Sequence, residues 1–387
     1  MRTLSVVKRG DAWSGTAEIL EPSPARVEPA CPHFGACGGC TLQHWRDADY
    51  IAWKSHLLTD ALRRAGFPDA LITIARTPPG ARRRMDLAIK REAGIILGLH
   101  RARGAEVLDL TVCPVLDARL VALFAPLRTL LAGLDCLKRT GRLVANLLDT
   151  GPDILLRTDA DLKAADRSLL AAFARTHAIP RISWSRSQGA PETAVLLRPA
   201  VISLSGVPVT PPPGAFLQAS REGESAIVSA VLAGLPEKLP ARARIAELYA
   251  GSGTLTFALA TRARVLAWEG DAEALAALRK AASSAGLTGR IIAERRDLTH
   301  APIRATEIKD VAAIVLDPPH AGAPAQLPEI VRAKPPVVIY VSCNPATLSR
   351  DLKPLAESGY HLKSATAIDQ FLWSARLESV TVLTRPS

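Results

Sequence analysis

The 387-residue chain has no run approaching the ~20 consecutive apolar residues that a membrane-spanning helix needs. Its opening, Met1-Arg2-Thr3-Leu4-Ser5, lacks a signal-peptide core, so the expected location is the cytoplasm, with no membrane as partner. There is no internal repeat and no low-complexity tract beyond a bias to alanine. Cysteine is sparse, six residues in all. In a reducing compartment that number does not build a disulfide framework, so the spacing of the cysteines calls for another explanation.

What remains is a chain long enough for about two or three domains, with 48% hydrophobic residues to fill their cores. The formal charge is +11, and the excess lies mainly in the front half. Arg76, Arg82, Arg83, Arg84, Lys90, Arg91, Arg101 and Arg103 fall within one short stretch that holds only Asp86 and Glu92 in opposition. A phosphate backbone is the natural partner for that density; a solvated arginine-rich face is the plainer alternative.

Pro211-Pro212-Pro213-Gly214 is the clearest break in the chain. Residues 1–30, with Pro22, Pro24 and Pro29, read as an edge strand and connector, and 18–27 resembles the closing strand of a small barrel. Residues 31–213 read as an antiparallel α+β domain: a helix over 47–65 stopped by Gly66, a hairpin of 85–89 with 95–99, an amphipathic helix over 116–134, and strands around a helix near 162–177. Residues 214–387 alternate strand and helix regularly, which predicts a doubly wound, Rossmann-like α/β sheet.

Cys31, Cys37 and Cys40 have five and then two residues between them, on a loop made supple by Gly35, Gly38 and Gly39. Three thiols this close can converge on one metal centre, with Cys113, stiffened by Pro114, as the fourth ligand. Zinc and a 4Fe-4S cluster both fit four cysteines; a single two-residue spacing with a remote fourth thiol favours the cluster. His33 reads as surface decoration and Cys136, in a leucine-rich helical stretch, as core.

The segment Glu247-Leu248-Tyr249-Ala250-Gly251-Ser252-Gly253-Thr254 has a strand, a glycine turn and a helix start. Glu269 ends the next strand, where an acid can accept both ribose hydroxyls, and Asp297 follows the strand after that. A dinucleotide fingerprint wants a third glycine where this chain has Thr256, so S-adenosylmethionine fits better than NAD. Asp317-Pro318-Pro319-His320 adds a carboxylate on a rigid turn; a similar turn in adenine amino-methyltransferases leaves carbon and nitrogen chemistry both open. Cys343 stands at the tip of the β-branched run Val337-Val338-Ile339-Tyr340-Val341, where an open α/β sheet carries its chemistry.

Taken together, Cys31/Cys37/Cys40/Cys113, Phe216-Leu217-Gln218, Gly251-Ser252-Gly253, Asp317-Pro318-Pro319 and Ser342-Cys343-Asn344-Pro345-Ala346-Thr347-Leu348 resemble the S-adenosylmethionine-dependent RNA uracil-5-methyltransferases, in the iron-sulfur branch that modifies 23S ribosomal RNA. The resemblance runs from Cys31 to near the end of the chain. It implies Cys343 as nucleophile on carbon 6 of uracil and Glu378 as general base. It further implies Gln218, Tyr249, Gly251, Thr254, Glu269, Asp297 and Asp317 around S-adenosylmethionine, and a structural 4Fe-4S cluster on the four cysteines. The implied partner is RNA, 23S rRNA favoured and tRNA the alternative, bound by a monomer; a non-catalytic iron-sulfur RNA-binding protein is the reading from another class. The chain departs from the family pattern at His320 and Arg376, where Arg and His are usual, and at Thr254 and Ser220, where Asn is common.

Overall fold

The computed structural model describes residues 2–9 and 12–385. Strands β1 (Arg2–Arg9) and β2 (Ala12–Glu18) form an antiparallel pair by themselves. The barrel-closing strand expected over 18–27 does not form beyond Glu18. Pro22 and Pro24 remove ladder donors there, and Arg26 makes only a single bridge to Trp45.

Helix α1 (Asp47–Ala65) matches its expected span and ends on Gly66 in the left-handed region. Strands β3 (Ile72–Arg76), β4 (Arg84–Arg91), β5 (Ile95–His100) and β6 (Val107–Asp109) follow, then helices α2 (Ala118–Val121) and α3 (Phe124–Gly133), which replace the single helix expected over 116–134. Next come β7 (Thr140–Leu148), β8 (Gly151–Thr158), α4 (Ala164–Thr176), β9 (Arg181–Arg186) and β10 (Glu192–Leu196). These strands make a seven-stranded sheet, β10-β9-β8-β7-β4-β5-β6, antiparallel except where α4 crosses between β8 and β9. Strand β4 alternates strictly: Met85, Leu87 and Ile89 are buried with the leucines of α2 and α3, so Arg84, Asp86, Ala88 and Lys90 face the other way.

The hairpin β11 (Ile202–Leu204) and β12 (Val207–Val209) leads to α5 (Arg221–Gly234), β13 (Arg244–Leu248), α6 (Thr254–Ala260), β14 (Arg264–Glu269), α7 (Ala272–Ser284), β15 (Ile291–Arg295), α8 (Ala305–Ile308), β16 (Ala313–Leu316), α9 (Leu327–Ala333), β17 (Val337–Ser342), α10 (Pro345–Glu357), β18 (His361–Asp369) and β19 (Glu378–Thr384). The second sheet runs β15-β14-β13-β16-β17-β19-β18-β3. Strands β13 to β17 are parallel, and β16 and β17 are buried at every position, as strands covered on both faces must be. Strand β19 runs antiparallel to both its neighbours, so the sheet is Rossmann-like without being wholly parallel.

A boundary at Pro213 does not coincide with the packing. Strand β3 joins the far edge of the C-terminal sheet, parallel to β18, and α1 lies against α10 in the core of that sheet. Hairpin β11–β12 packs with α5, α6 and α7 on the opposite face. The front of the chain thus completes the C-terminal sheet because edge strand β18 and the apolar side of α10 need covering.

Candidate active site

Tyr249, Glu269, Asp317 and Cys343 lie at the carboxyl ends of the parallel strands β13, β14, β16 and β17. Past β13 the chain turns through Tyr249 (φ +67°), Gly251 (φ +55°) and Gly253 (φ +104°) into α6. A Cβ on Gly253 would stand 2.5 Å from the Phe257 ring, so glycine is required, whereas a Cβ on Gly251 would meet nothing within 4 Å. The turn is held from β14. Gly251 N–H donates to Glu269 Oε2 at 2.7 Å, and Asp271 N–H donates to Oε1 at 2.7 Å. Thr254 opens α6 half-buried. Beneath the turn Glu247 is buried, its Oε2 unpartnered, and burial pushes its carboxyl up to about 8. Burial also pushes the Tyr249 hydroxyl up to about 12.

Asp297 sits at the rim. It is exposed and its carboxylate turns to its own loop, accepting from Thr299 N–H at 3.0 Å and from His300 Nδ1 at 2.9 Å; the His300 bond holds it below the usual carboxylate range.

The register of the neighbouring strands brings Cys343, Glu378 and Asp317 to one end of the sheet. Strand β17 pairs with β19 through Val341–Val380 and Ser342–Ser379. The next step along that antiparallel ladder sets Cys343, just past β17, opposite Glu378, the first residue of β19. Asp317 leaves the tip of β16 on the other side of β17. Burial, then Glu378 and Asp317, push the Cys343 thiol up to about 11, while Arg376 pulls it down. Burial pushes the Asp317 carboxyl up to about 7. Glu378 is 4% exposed, and burial together with Asp317 raises its carboxyl well above the usual range. Its Oε1 is buried without a hydrogen-bond partner.

The turn after Cys343 is rigid. Asn344 caps α10 by accepting from Ala346 N–H at 3.0 Å, and its Nδ2 donates to His320 O at 3.1 Å, joining the Cys343 turn to the Asp317-Pro318-Pro319-His320 turn. The departure at His320 therefore contributes a backbone acceptor, which any residue there supplies.

Gln370, just past β18, escaped the sequence reading. Its Oε1 accepts from Ala219 N–H at 3.0 Å, and its Nε2 donates to Gln218 Oε1 at 2.7 Å and to Glu378 Oε2 at 2.9 Å. Gln218 Nε2 in turn reaches Asp317 Oδ2 at 3.4 Å. A chain Asp317–Gln218–Gln370–Glu378 thus links three strand ends to the segment before α5. Gly223 permits it, since a Cβ there would lie 2.8 Å from both Cβ and Oε1 of Gln370. A lone polar residue after a strand carries no periodic signal, so only the fold reveals Gln370.

The four cysteines Cys31, Cys37, Cys40 and Cys113 line one cavity of about 340 Å³, with Arg82, Arg84, Phe371 and Arg376 also on its wall. Their loop is fastened to the end of β5: Gly38 N–H donates to His100 O at 3.0 Å, and Ala102 N–H to Ala36 O at 2.9 Å. Gly39 N–H points at Cys37 Sγ at 3.3 Å, and burial pushes the Cys40 thiol up to about 11. Among the described residues, no three His, Cys, Asp or Glu side chains come close enough to hold a single metal ion. His33 bonds Thr111 instead, with Nε2 3.2 Å from Thr111 Oγ1, and Cys136 is buried in the core of the seven-stranded sheet.

The basic stretch does not act as one patch. Arg76 pairs with Asp47, Arg83 is buried against Glu224 and Gln218 O, Arg91 caps the carbonyls ending α3, and Arg101 pairs with Glu106. Arg82 and Arg84 remain at the cavity, where Arg84 lies 5.7 Å from the ring centroid of Phe216, itself 72% exposed.

A profile of the tRNA (Uracil-5-)-methyltransferases matches residues 240–386. An RNA methyltransferase of Brucella suis biovar 1, named as uncharacterized, is 38% identical over 95% of this chain and 86% of its own length. The chain belongs to the RNA uracil-5-methyltransferase family. The 23S rRNA (uracil(1939)-C(5))-methyltransferase RlmD of Edwardsiella ictaluri is 33% identical over 98% of this chain and 86% of its own length. Among solved structures, the tRNA (uracil-54, C5)-methyltransferase of Pyrococcus abyssi, in complex with S-adenosyl-L-homocysteine, shares the fold: TM-score 0.70, 21% identity, 98% of this chain and 92% of that one. As a family member this chain is an RNA methyltransferase with a Rossmann-like catalytic sheet. No helix among the described residues is long and apolar enough to cross a membrane.

Proposed function

We propose that this enzyme methylates carbon 5 of one uridine in 23S ribosomal RNA, using Cys343 as a covalent nucleophile and Glu378 as the base that resolves the adduct. The observation that carries the reading is the β17–β19 register, which sets the thiol opposite a buried carboxyl with one unpartnered oxygen. Full-length similarity to a 23S rRNA enzyme favours that RNA over tRNA, for which the structural likeness supports the fold alone.

The residues around the glycine turn fit S-adenosylmethionine. Open space lies before Gly251, and Glu269 keeps lone pairs for a ribose diol. The unpartnered Oε2 of Glu247 suits an ammonium, and Gln218 and Asp317 close the side toward Cys343. The cofactor would supply an electrophilic methyl group to carbon 5.

The chain's own residues do the rest. Uracil carbon 5 is a weak nucleophile. The Cys343 thiol gives its proton to solvent water, its sulfur donates a lone pair to carbon 6, and the ring's carbon 5–carbon 6 π pair moves onto carbon 5 and oxygen 4. After carbon 5 carries the methyl group, Glu378, in its ionised form, takes the remaining proton on Oε1. The released pair restores the double bond, and the carbon–sulfur bond breaks to return the thiolate. The neutral carboxyl at Asp317, raised to about 7, is suited to donate to the uracil ring. A uridine must leave its stack to reach these strand tips, and exposed Phe216 with Arg84 offers a surface for stacking and phosphate contact.

The cysteine cavity fits a 4Fe-4S cluster better than zinc. In a cubane each iron takes one thiolate, so the sulfurs stand farther apart than around a single ion. Cys31, Cys37, Cys40 and Cys113 would hold it, with the Gly39 amide directed at a ligand sulfur.

RNA containing 5-fluorouridine tests the reading, because fluorine cannot leave as a proton and the adduct persists. Wild-type protein with S-adenosylmethionine should form a gel-stable RNA adduct and Cys343→Ala none. Methyl transfer by the alanine variant would overturn the mechanism, and 5-methyluridine missing from tRNA in a deletion strain would overturn the choice of RNA.

A further inference from the structure

Lys54, in the middle of α1, is a fully buried ammonium. Removing a charge from water costs several kcal/mol, and an apolar residue of similar length would serve helix packing as well or better. Its hydrogen bonds indicate what it does instead. Lys54 Nζ lies 2.9 Å from Asp369 Oδ1 in an ion pair whose partners are 0% and 1% exposed. It also donates to the carbonyl oxygen of Phe371, at 3.4 Å, and to that of Arg376. Asp369 is the last residue of β18, and Phe371 and Arg376 lie on the connection from β18 to β19, the segment that carries Gln370 and delivers Glu378. One ammonium with three donors thus ties both ends of that connection to a helix from the front of the chain.

The middle of the connection is held by the same helix. Tyr50 O–H, one turn before Lys54, donates to Asp369 Oδ2 at 2.7 Å and accepts from Trp373 N–H at 3.0 Å. Trp373 is in the left-handed region (φ +55°), a conformation that costs about 1 kcal/mol or more for a bulky residue and persists only where neighbours enforce it. Thr41 and Leu42, which follow Cys40, donate their N–H groups to Trp373 O at 2.8 and 3.0 Å.

We infer that Lys54 is a positioning residue for Glu378: with Tyr50 it fixes the β18–β19 connection so that Gln370 and the base stand opposite Cys343. This rests on the reading of Cys343 and Glu378 proposed above. Loss of Lys54 then slows removal of the carbon 5 proton more than it slows thiol addition.

Two variants test this. Lys54→Met leaves Asp369 buried without its counter-charge, so K54M/D369N, which removes both charges and keeps a partner for Tyr50, guards against simple unfolding. Expected for the double variant are cooperative melting, formation of the 5-fluorouridine adduct at close to the wild-type rate, and at least a tenfold loss of turnover on ordinary RNA. A methylated RNA–protein adduct should accumulate, and amide exchange over 371–377 should be faster. Wild-type turnover, or equal losses in adduct formation and turnover, would overturn the inference. If the wild-type protein itself forms no 5-fluorouridine adduct, the covalent reading is what fails; unchanged exchange over 371–377 in the double variant would separately show that Lys54 does not hold the connection.

Discussion

Gln370 Nε2 stands 2.9 Å from Glu378 Oε2, a neutral amide donating to a buried acid that has no cation beside it in its hydrogen-bond set. The bond occupies one carboxyl oxygen and leaves Oε1 free. It therefore orients the Glu378 carboxyl, and because the same amide donates to Gln218, those two side chains share one fixed group.

Glu378→Gln should separate the two halves of the reaction. The amide keeps the shape and can still meet Gln370, yet it cannot take the carbon 5 proton. Turnover is expected to fall about 10²–10⁴-fold while roughly one methyl group per enzyme is still transferred and remains on a covalent RNA–protein complex. Denaturing gels with radiolabelled cofactor and unmodified RNA check this.

Gly223→Ala places a methyl group 2.8 Å from Gln370. Expected are a destabilisation of about 1–3 kcal/mol and reduced turnover. Combining it with Gln370→Gly removes both atoms in the clash, so the double variant should regain part of the lost stability in denaturant melts while turnover stays low.

Asp317 imposes a pH dependence on folding. The folded protein keeps this proton to about 7, whereas an unfolded aspartate releases it near 4, so folding takes up a proton between those values and stability falls as pH rises through them. Glu378, raised for the same reason, adds in the same direction. Asp317→Asn should flatten that slope and, above about pH 7, be the more stable protein by on the order of 3 kcal/mol. Denaturant midpoints at about pH 5 and about pH 8 measure the difference.

For the cysteine cavity, protein purified without oxygen should be brown and contain iron and sulfide. Cys113→Ser should lose the colour and Cys136→Ser should keep it, since Cys136 is core. Iron analysis and visible absorption distinguish the cluster from a colourless zinc site.

Local signals made part of this legible. The span of α1 follows from apolar spacing and a terminal Gly66, and the strands ending at Leu248, Glu269, Leu316 and Ser342 follow from β-branched runs broken by glycine or proline. Strand β19 is apolar enough to recognise as a strand, but its reversed direction depends on which neighbours remain unpaired. The arginine-rich stretch is divided among several places for a related reason. Charge is visible in sequence, but whether a guanidinium lies over a ring, as Arg84 does over Phe216, or at a helix end, as Arg91 does, depends on packing.

The sequence alone determined the chemistry on offer: a thiol at a strand tip, acids after successive strands, a glycine turn and a four-cysteine set. Tertiary structure alone decided how they are held. It brings β17 and β19 together so that Cys343 and Glu378, 35 residues apart in the chain, adjoin the last paired residues Ser342 and Ser379, inserts Gln370 between Gln218 and Glu378, and ties the β18–β19 connection to Lys54 on a helix more than 300 residues upstream. Hydrogen bonds between segments so distant leave no periodicity to read, because their partners are chosen by strand order and helix packing, which local propensity does not encode.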